Sequence, residues 1–339
     1  MKRFGLPAVI GAVTLGATVT ALIAEQPTLV LLLVVAVGSP LSVFALVRAL
    51  ANPTGRARST WFSLLLGGTV IPILVLAFHG LFLALGYNLV APFVAPAREF
   101  WEQLRADPDL FRVLTSGWAL AMIIELAVVA PLAEETTKPL AALIRRPRTA
   151  RDAFLFGAAA GTGFAMVENI MYSSGWFFGS LEGWLPIAVA RMIGAGLHAF
   201  GAGLVAWGVF QLRTGEPGRW RRFWLSYWIA LSTHGLWNGS IAVAIALAAA
   251  RETGGLRGRY DAFAWGVVLL VLLALLGVLI LGALLLVARR VGRGESPLQA
   301  FPIREAGSPQ SIAAWGLVSS AFLIPATIVI VVYPNVVSL

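Results

Sequence analysis

The sequence predicts an all-α polytopic membrane protein of about nine transmembrane helices, with a polar core in helices four to seven. Three observations predict it. Of 339 residues, 59% are hydrophobic and 12% charged, whereas soluble domains average roughly 45–50% apolar. Mean hydropathy is +0.85. The apolar residues gather into runs near or above the ~20 residues that a bilayer requires. Together these exclude a soluble globular enzyme and a disordered chain. The absence of cysteine excludes disulfides, thiolate metal sites and cysteine nucleophiles.

The spans fall at about 5–24, 28–50, 60–86, 114–144, 152–174, 184–212, 222–249, 261–289 and 311–333. They are rich in Leu, Ala, Val and Gly without strict alternation, which favours helices over a barrel. The net charge of +9 does not indicate nucleic-acid binding, because the basic residues sit in short loops between apolar runs. Lys2 and Arg3, Arg56 and Arg58, Arg145–Arg151, Arg213–Arg222, and Arg289–Arg304 all mark alternate loops. The excess of Lys and Arg in cytoplasmic loops therefore predicts a cytoplasmic N-terminus and an outer C-terminus. The 251–261 loop, with Arg251, Arg257 and Arg259, fits least well. The first span reads as an uncleaved helix rather than a cleaved signal. Residues 97–106 read as an interfacial helix or an ordinary outer loop, and 291–310 as a cytoplasmic linker. Three parts follow: 1–113 with helices one to three and an outer loop, the four-helix core 114–250, and 251–339 with helices eight and nine.

An ionised side chain at mid-bilayer costs roughly 2.5–3.5 kcal/mol, so intramembrane charges need a reason. Here they concentrate in four consecutive helices. Span four carries Glu125, Glu134, Glu135 and Lys138; span five Glu168 and Asn169; span six Arg191 and His198; span seven His234 and Asn238. His79 lies apart in span three. Counting inward at about 1.5 Å per residue, Glu135 lies about 15 Å from Arg145, His234 about 18 Å from Arg222 and His198 about 22 Å from Arg213. Glu168 lies about 25 Å from Arg151, a difference that helix tilt can remove.

His234 and Asn238 are four apart and share a helix face. Lys138 can reach either Glu134 or Glu135 from the same helix. Arg191 is seven before His198, on the same face. Pro139 has no N–H for the carbonyl of Glu135, so the helix should kink beside the acids. Glycines flank the polar residues, among them Gly157, Gly161, Gly163, Gly201, Gly203 and Gly235, and small residues let helix backbones approach closely. Glu125 and Arg191, both toward the outer side, are expected to pair. His79 is expected to bond a neighbouring carbonyl.

Elimination narrows the chemistry. The aspartates Asp107, Asp109, Asp152 and Asp261 fall in loops or at helix ends. There is no His-Glu-x-x-His and no Gly-x-Ser-x-Gly. Glu and His remain. In one mechanism His198, His234 and a carboxylate, Glu135 or Glu168, bind Zn2+, and another Glu is the general base. In the other, Glu and His activate water without a metal and Asn238 donates to the oxyanion. The metal route is favoured because two histidines and a glutamate are an accepted zinc set. Lys138, Asn169 and Arg191 would support the site. A proton- or ion-coupled transporter would also use intramembrane Glu, His and Lys, but no internal repeat is visible.

The stretch Ala-Glu134-Glu135-Thr-Thr-Lys138 is followed by Gly161-Thr-Gly163-Phe-Ala-Met-Val-Glu168-Asn169-Ile-Met-Tyr172. Then come Gly-Leu-His198-Ala-Phe-Gly and His234-Gly-Leu-Trp237-Asn238. In this order they resemble the motifs of the PrsW family of intramembrane proteases, a group related to the CAAX prenyl endopeptidases and bacteriocin-processing proteins. The wider group tends to have Arg where Lys138 stands, so the closer likeness is to PrsW. The resemblance spans about 118–240. It implies a membrane-embedded peptidase in the bacterial plasma membrane, with the paired glutamates and the histidines as catalytic or metal-binding residues. It also implies a membrane-anchored protein substrate, of which an anti-sigma factor is the family's example.

Overall fold

A computed structural model describes residues 34–51, 57–90, 123–177, 181–252 and 259–300. The first and last expected spans and the 97–106 segment lie outside these residues. Every regular element among the described residues is helical. A π-helical turn at Val34–Gly38 leads into α1 (Ser39–Ala51), and α2 spans Ala57–Val90. A second π-helical turn, Glu125–Val129, precedes α3 (Ala130–Thr137). The short α4 follows at Leu140–Ile144, then α5 at Ala150–Phe177 and α6 at Leu181–Ile193. A 3₁₀ turn at Gly194–Gly196 joins α6 to α7 (Leu197–Thr214). The chain continues through α8 (Arg219–Glu252) and α9 (Arg259–Gly292), and a 3₁₀ turn, Pro297–Ala300, closes the described part.

Among the described residues, four helical stretches are long and apolar enough to cross a membrane: Thr60–Leu81, Ala150–Tyr172, Ile187–Thr214 and Val267–Gly292. The protein is thus an integral membrane protein. The two central stretches are each 78% buried and the other two 28%. The buried pair carries Glu168, Arg191 and His198, whereas the other two present Leu65, Ile73, Leu76, Val278 and Leu279 outward, as lipid-facing helices do. α8 has 34 residues, about 51 Å, which exceeds the ~30 Å of hydrocarbon. Its first turns expose Trp220, Trp224 and Trp228 beside Arg219, Arg221 and Arg222. Trp at this four-residue spacing, next to arginine, suits the bilayer–water boundary.

The residues group into two compact units. Among the described residues, one falls within Met1–Val75, Glu134–Ala230 and Leu276–Phe301, the other within Leu76–Ala133 and Leu231–Leu275. In the first, α5 lies along α7 over the most extensive helix–helix interface, and α1 packs on α5. Small residues make this possible: Ala153, Ala158, Ala159, Ala160, Ala199 and Ala202 are buried to 1% exposure or less. A Cβ on Gly161 would run into the carbonyl oxygen of His198, so α5 touches α7 backbone to backbone at the residue that carries the imidazole. Arg151 donates to the carbonyls of Val291 and Gly292, tying the start of α5 to the end of α9. In the second unit Gly235 of α8 lies against the carbonyl of Ala127, and Trp237 is 1% exposed.

Two expected spans are interrupted. Span four breaks into the π turn, α3 and α4, with Lys138 and Pro139 in a turn. Pro139 enforces this break, as its missing N–H predicts. Span six breaks at Gly-Ala-Gly, whose weak helix propensity allows the tighter 3₁₀ turn.

Candidate active site

The break at Pro139 ends α3 just after its two acids. Glu134 and Glu135 are 5% and 0% exposed, and Lys138 is fully buried. The Lys138 backbone N–H still bonds the Glu134 carbonyl at 2.9 Å, so the lysine stays beside the acids as the chain turns. Its Nζ stands 2.7 Å from Glu134 Oε2 and 2.9 Å from Glu135 Oε1. It also lies 2.9 Å from Nδ1 of His198. One ammonium thus meets two carboxylates and an imidazole.

That contact assigns the histidine tautomer. An ammonium has only donors, so Nδ1 must accept and the ring is neutral. Nε2 then carries the hydrogen and donates to Glu168 Oε2 at 2.7 Å. Glu168 is in turn held by Arg191, whose Nη2 lies 2.7 Å from the same oxygen and whose Nε donates to Asn169 Oδ1 at 2.5 Å. The arginine also lies over the Tyr172 ring, 5.1 Å from its centroid. A histidine ligand whose far nitrogen is held by a carboxylate has its orientation and tautomer fixed. Glu168 stands behind His198 in that position.

The acids and the imidazole are close enough to share a cation. The ligand atoms that Glu134, Glu135 and His198 offer lie within 4.8 Å of one another, and His198 Nδ1 is 3.6 Å from Glu134 Oε2. Two carboxylate oxygens and one imidazole nitrogen are donors that a divalent transition metal accepts. On α7, Gly201 leaves room for the Glu135 carboxylate: a Cβ there would come within 2.5 Å of Oε2.

Seven of the expected site residues therefore meet in the first unit: Glu134, Glu135, Lys138, Glu168, Asn169, Arg191 and His198. His234 and Asn238 belong to the second unit, on α8; His234 is 1% exposed and Asn238 half-buried. Two expected contacts are corrected. Arg191 pairs with Glu168 and Asn169 rather than Glu125: Arg191 near the end of α6 and His198 at the start of α7 reach the same carboxylate from either side of the 3₁₀ turn. His79 bonds the Glu125 carboxylate rather than a carbonyl. Phe164 went unnoticed in the sequence. Its ring lies 4.7 Å from Lys138 Nζ and 5.4 Å from the His198 ring. A phenylalanine in an apolar helix gives no signal of its own; its place within the Gly161–Tyr172 stretch, four residues before Glu168, is the trace it leaves.

The PrsW family intramembrane metalloprotease model matches residues 55–276, which include every residue of this site. Neither a curated protein nor a solved structure matches the chain. With the match covering more than half of its 339 residues, the chain belongs to the PrsW family and is an intramembrane protease.

Proposed function

We propose that the protein hydrolyses peptide bonds of membrane-anchored proteins, an anti-sigma factor among them, at a zinc centre. It would lie in a bacterial plasma membrane with its N-terminus cytoplasmic, as the loop arginines favour. The observation that carries the reading is the buried meeting of Glu134, Glu135 and His198 beside an apolar bilayer-length helix.

Glu135 and His198 Nδ1 would hold the metal with His234. Depth counted along the sequence supports His234. Glu135 suits a ligand because it is wholly buried and confined by Gly201. When bound, the metal supplies Lewis acidity, which polarises the scissile carbonyl and acidifies water. Glu134, slightly more exposed, takes the proton of the attacking water and returns it to the leaving amine. Asn238 lies one turn from His234 and would donate its side-chain N–H to the developing oxyanion. Glu168 and Arg191 keep the His198 ring in place throughout.

The test is cleavage of single-span substrates by the purified protein in liposomes. Glu134→Gln, Glu135→Gln, His198→Ala and His234→Ala should each lower the rate on the order of 10²–10⁴-fold. Wild-type rates in all four would remove the assignment.

A further inference from the structure

The ammonium of Lys138 occupies the point where the ligand atoms of Glu134, Glu135 and His198 converge. It stands 2.7, 2.9 and 2.9 Å from the two carboxylates and Nδ1. These are hydrogen-bond distances, longer than the ~2.1 Å bonds that zinc makes to oxygen or nitrogen. A lysine ammonium is a compact point charge with three donors, whereas the arginine guanidinium is a planar fork. Lys138 is one of only two lysines, with Lys2, in a chain whose 25 basic residues are otherwise arginine. The exception stands where a small, roughly spherical cation is surrounded by three acceptors.

We infer that Lys138 is a resident cation that holds the ligand set together in the metal-free protein and is displaced when the metal binds. This rests on the metal reading above. Without some positive charge, two adjacent buried carboxylates repel each other and lose their hydration. Lys138 supplies that charge while the apoprotein folds. The same charge then opposes the metal, because both need the same lone pairs. Zinc binding therefore breaks three hydrogen bonds to Nζ and swings the side chain away, and the lysine lowers the zinc affinity.

Zinc affinity is measured by competition with a chromophoric chelator, on the full chain in detergent, for wild type, Lys138→Met and Lys138→Arg. Lys138→Met removes the charge with little change in shape and should bind zinc on the order of tenfold to a hundredfold more tightly, because a like charge a few ångströms from the metal is gone. Lys138→Arg keeps a positive charge, although on a planar fork, and should not show the gain in affinity of Lys138→Met. A lysine needed only for structure would instead make the Met variant bind more weakly. A second measurement needs no variant. With 13Cε-lysine the wild-type spectrum contains two signals; added zinc should shift that of Lys138 and leave that of Lys2. Equal or weaker affinity in Lys138→Met, or an unmoved Lys138 signal in zinc-loaded wild type, overturns the displacement and leaves the zinc site standing. Zinc bound by none of the three proteins overturns both. If Lys138→Met does not fold, the wild-type spectrum decides alone.

Discussion

The Nε2 atom of His198 lies 2.7 Å from the carboxylate of Glu168, on the opposite side of the ring from Lys138 and the paired acids. Because Arg191 grips the same Glu168 oxygen, one carboxylate links a buried guanidinium to the imidazole.

Glu168→Gln should therefore lower zinc affinity and cleavage together, by about 10- to 100-fold, as loss of a carboxylate behind a histidine ligand commonly does. Both follow from a loosened ring and a less certain tautomer. Chelator competition and the liposome assay on one preparation check it; cleavage at the wild-type rate would show that the imidazole needs no such support.

Arg191→Met addresses the same link from its other end. The arginine and glutamate side chains are 9% and 12% exposed, so removing the arginine leaves a carboxylate without its charged partner. Breaking one side of a buried pair costs about 3–5 kcal/mol, and the thermal midpoint in detergent should fall accordingly. An unchanged midpoint would mean that lipid or water solvates Glu168 as well as Arg191 does.

How this link is encoded explains what the sequence revealed. Ionised residues stand out in apolar runs, so the gathering of Glu134, Glu135, Lys138, Glu168 and His198 was legible, and Pro139 announced the break beside the acids. The partner of Arg191 was not legible from depth. Glu125 and Arg191 both lie toward the outer side, but depth does not say which way a side chain faces. Arg191 at the end of α6 and His198 at the start of α7 instead meet at Glu168, across the 3₁₀ turn. The 3₁₀ turn at Gly194–Gly196 was equally hidden, because glycines in membrane helices serve close packing as often as a break.

Two glycines separate a chemical defect from a packing defect. At Gly201 an added Cβ would meet the carboxylate of Glu135, a side chain that can swing aside. At Gly161 it would meet the backbone carbonyl of His198, which cannot yield unless α5 and α7 move apart. Gly201→Ala should cut cleavage by at least about tenfold while lowering stability little. Gly161→Ala should lower the melting temperature, with a cost of about 1–3 kcal/mol for forced overpacking. Comparable melting temperatures for the two variants would contradict this division.

The contact between His79 and Glu125 predicts thermodynamic coupling. Either group alone is a polar side chain left among apolar neighbours, whereas removing both leaves neither in need of a partner. His79→Leu and Glu125→Leu should each destabilise the protein, and the double variant should lose less than their sum, with an interaction of about 1 kcal/mol. The side chains are 23% and 26% exposed, which keeps the expected value low. Additive losses in a thermal double-mutant cycle would show that the pair contributes nothing by meeting.

Removing the metal tests the chemistry most directly, because the two hydrolytic routes open to Glu and His diverge there. If a metal is held by Glu135, His198 and His234, a strong chelator should abolish cleavage and stoichiometric zinc should restore it. The fold should survive the treatment, since Lys138 keeps its hydrogen bonds to Glu134, Glu135 and His198 without a metal. The expected pattern is thus lost turnover with a melting temperature lowered only slightly, unlike small zinc domains that unfold when stripped. Full activity in protein shown by elemental analysis to lack metal would instead assign the reaction to glutamate- and histidine-activated water. Glu134 and His198 would then act on the water directly, and Lys138 would be a permanent member of the site.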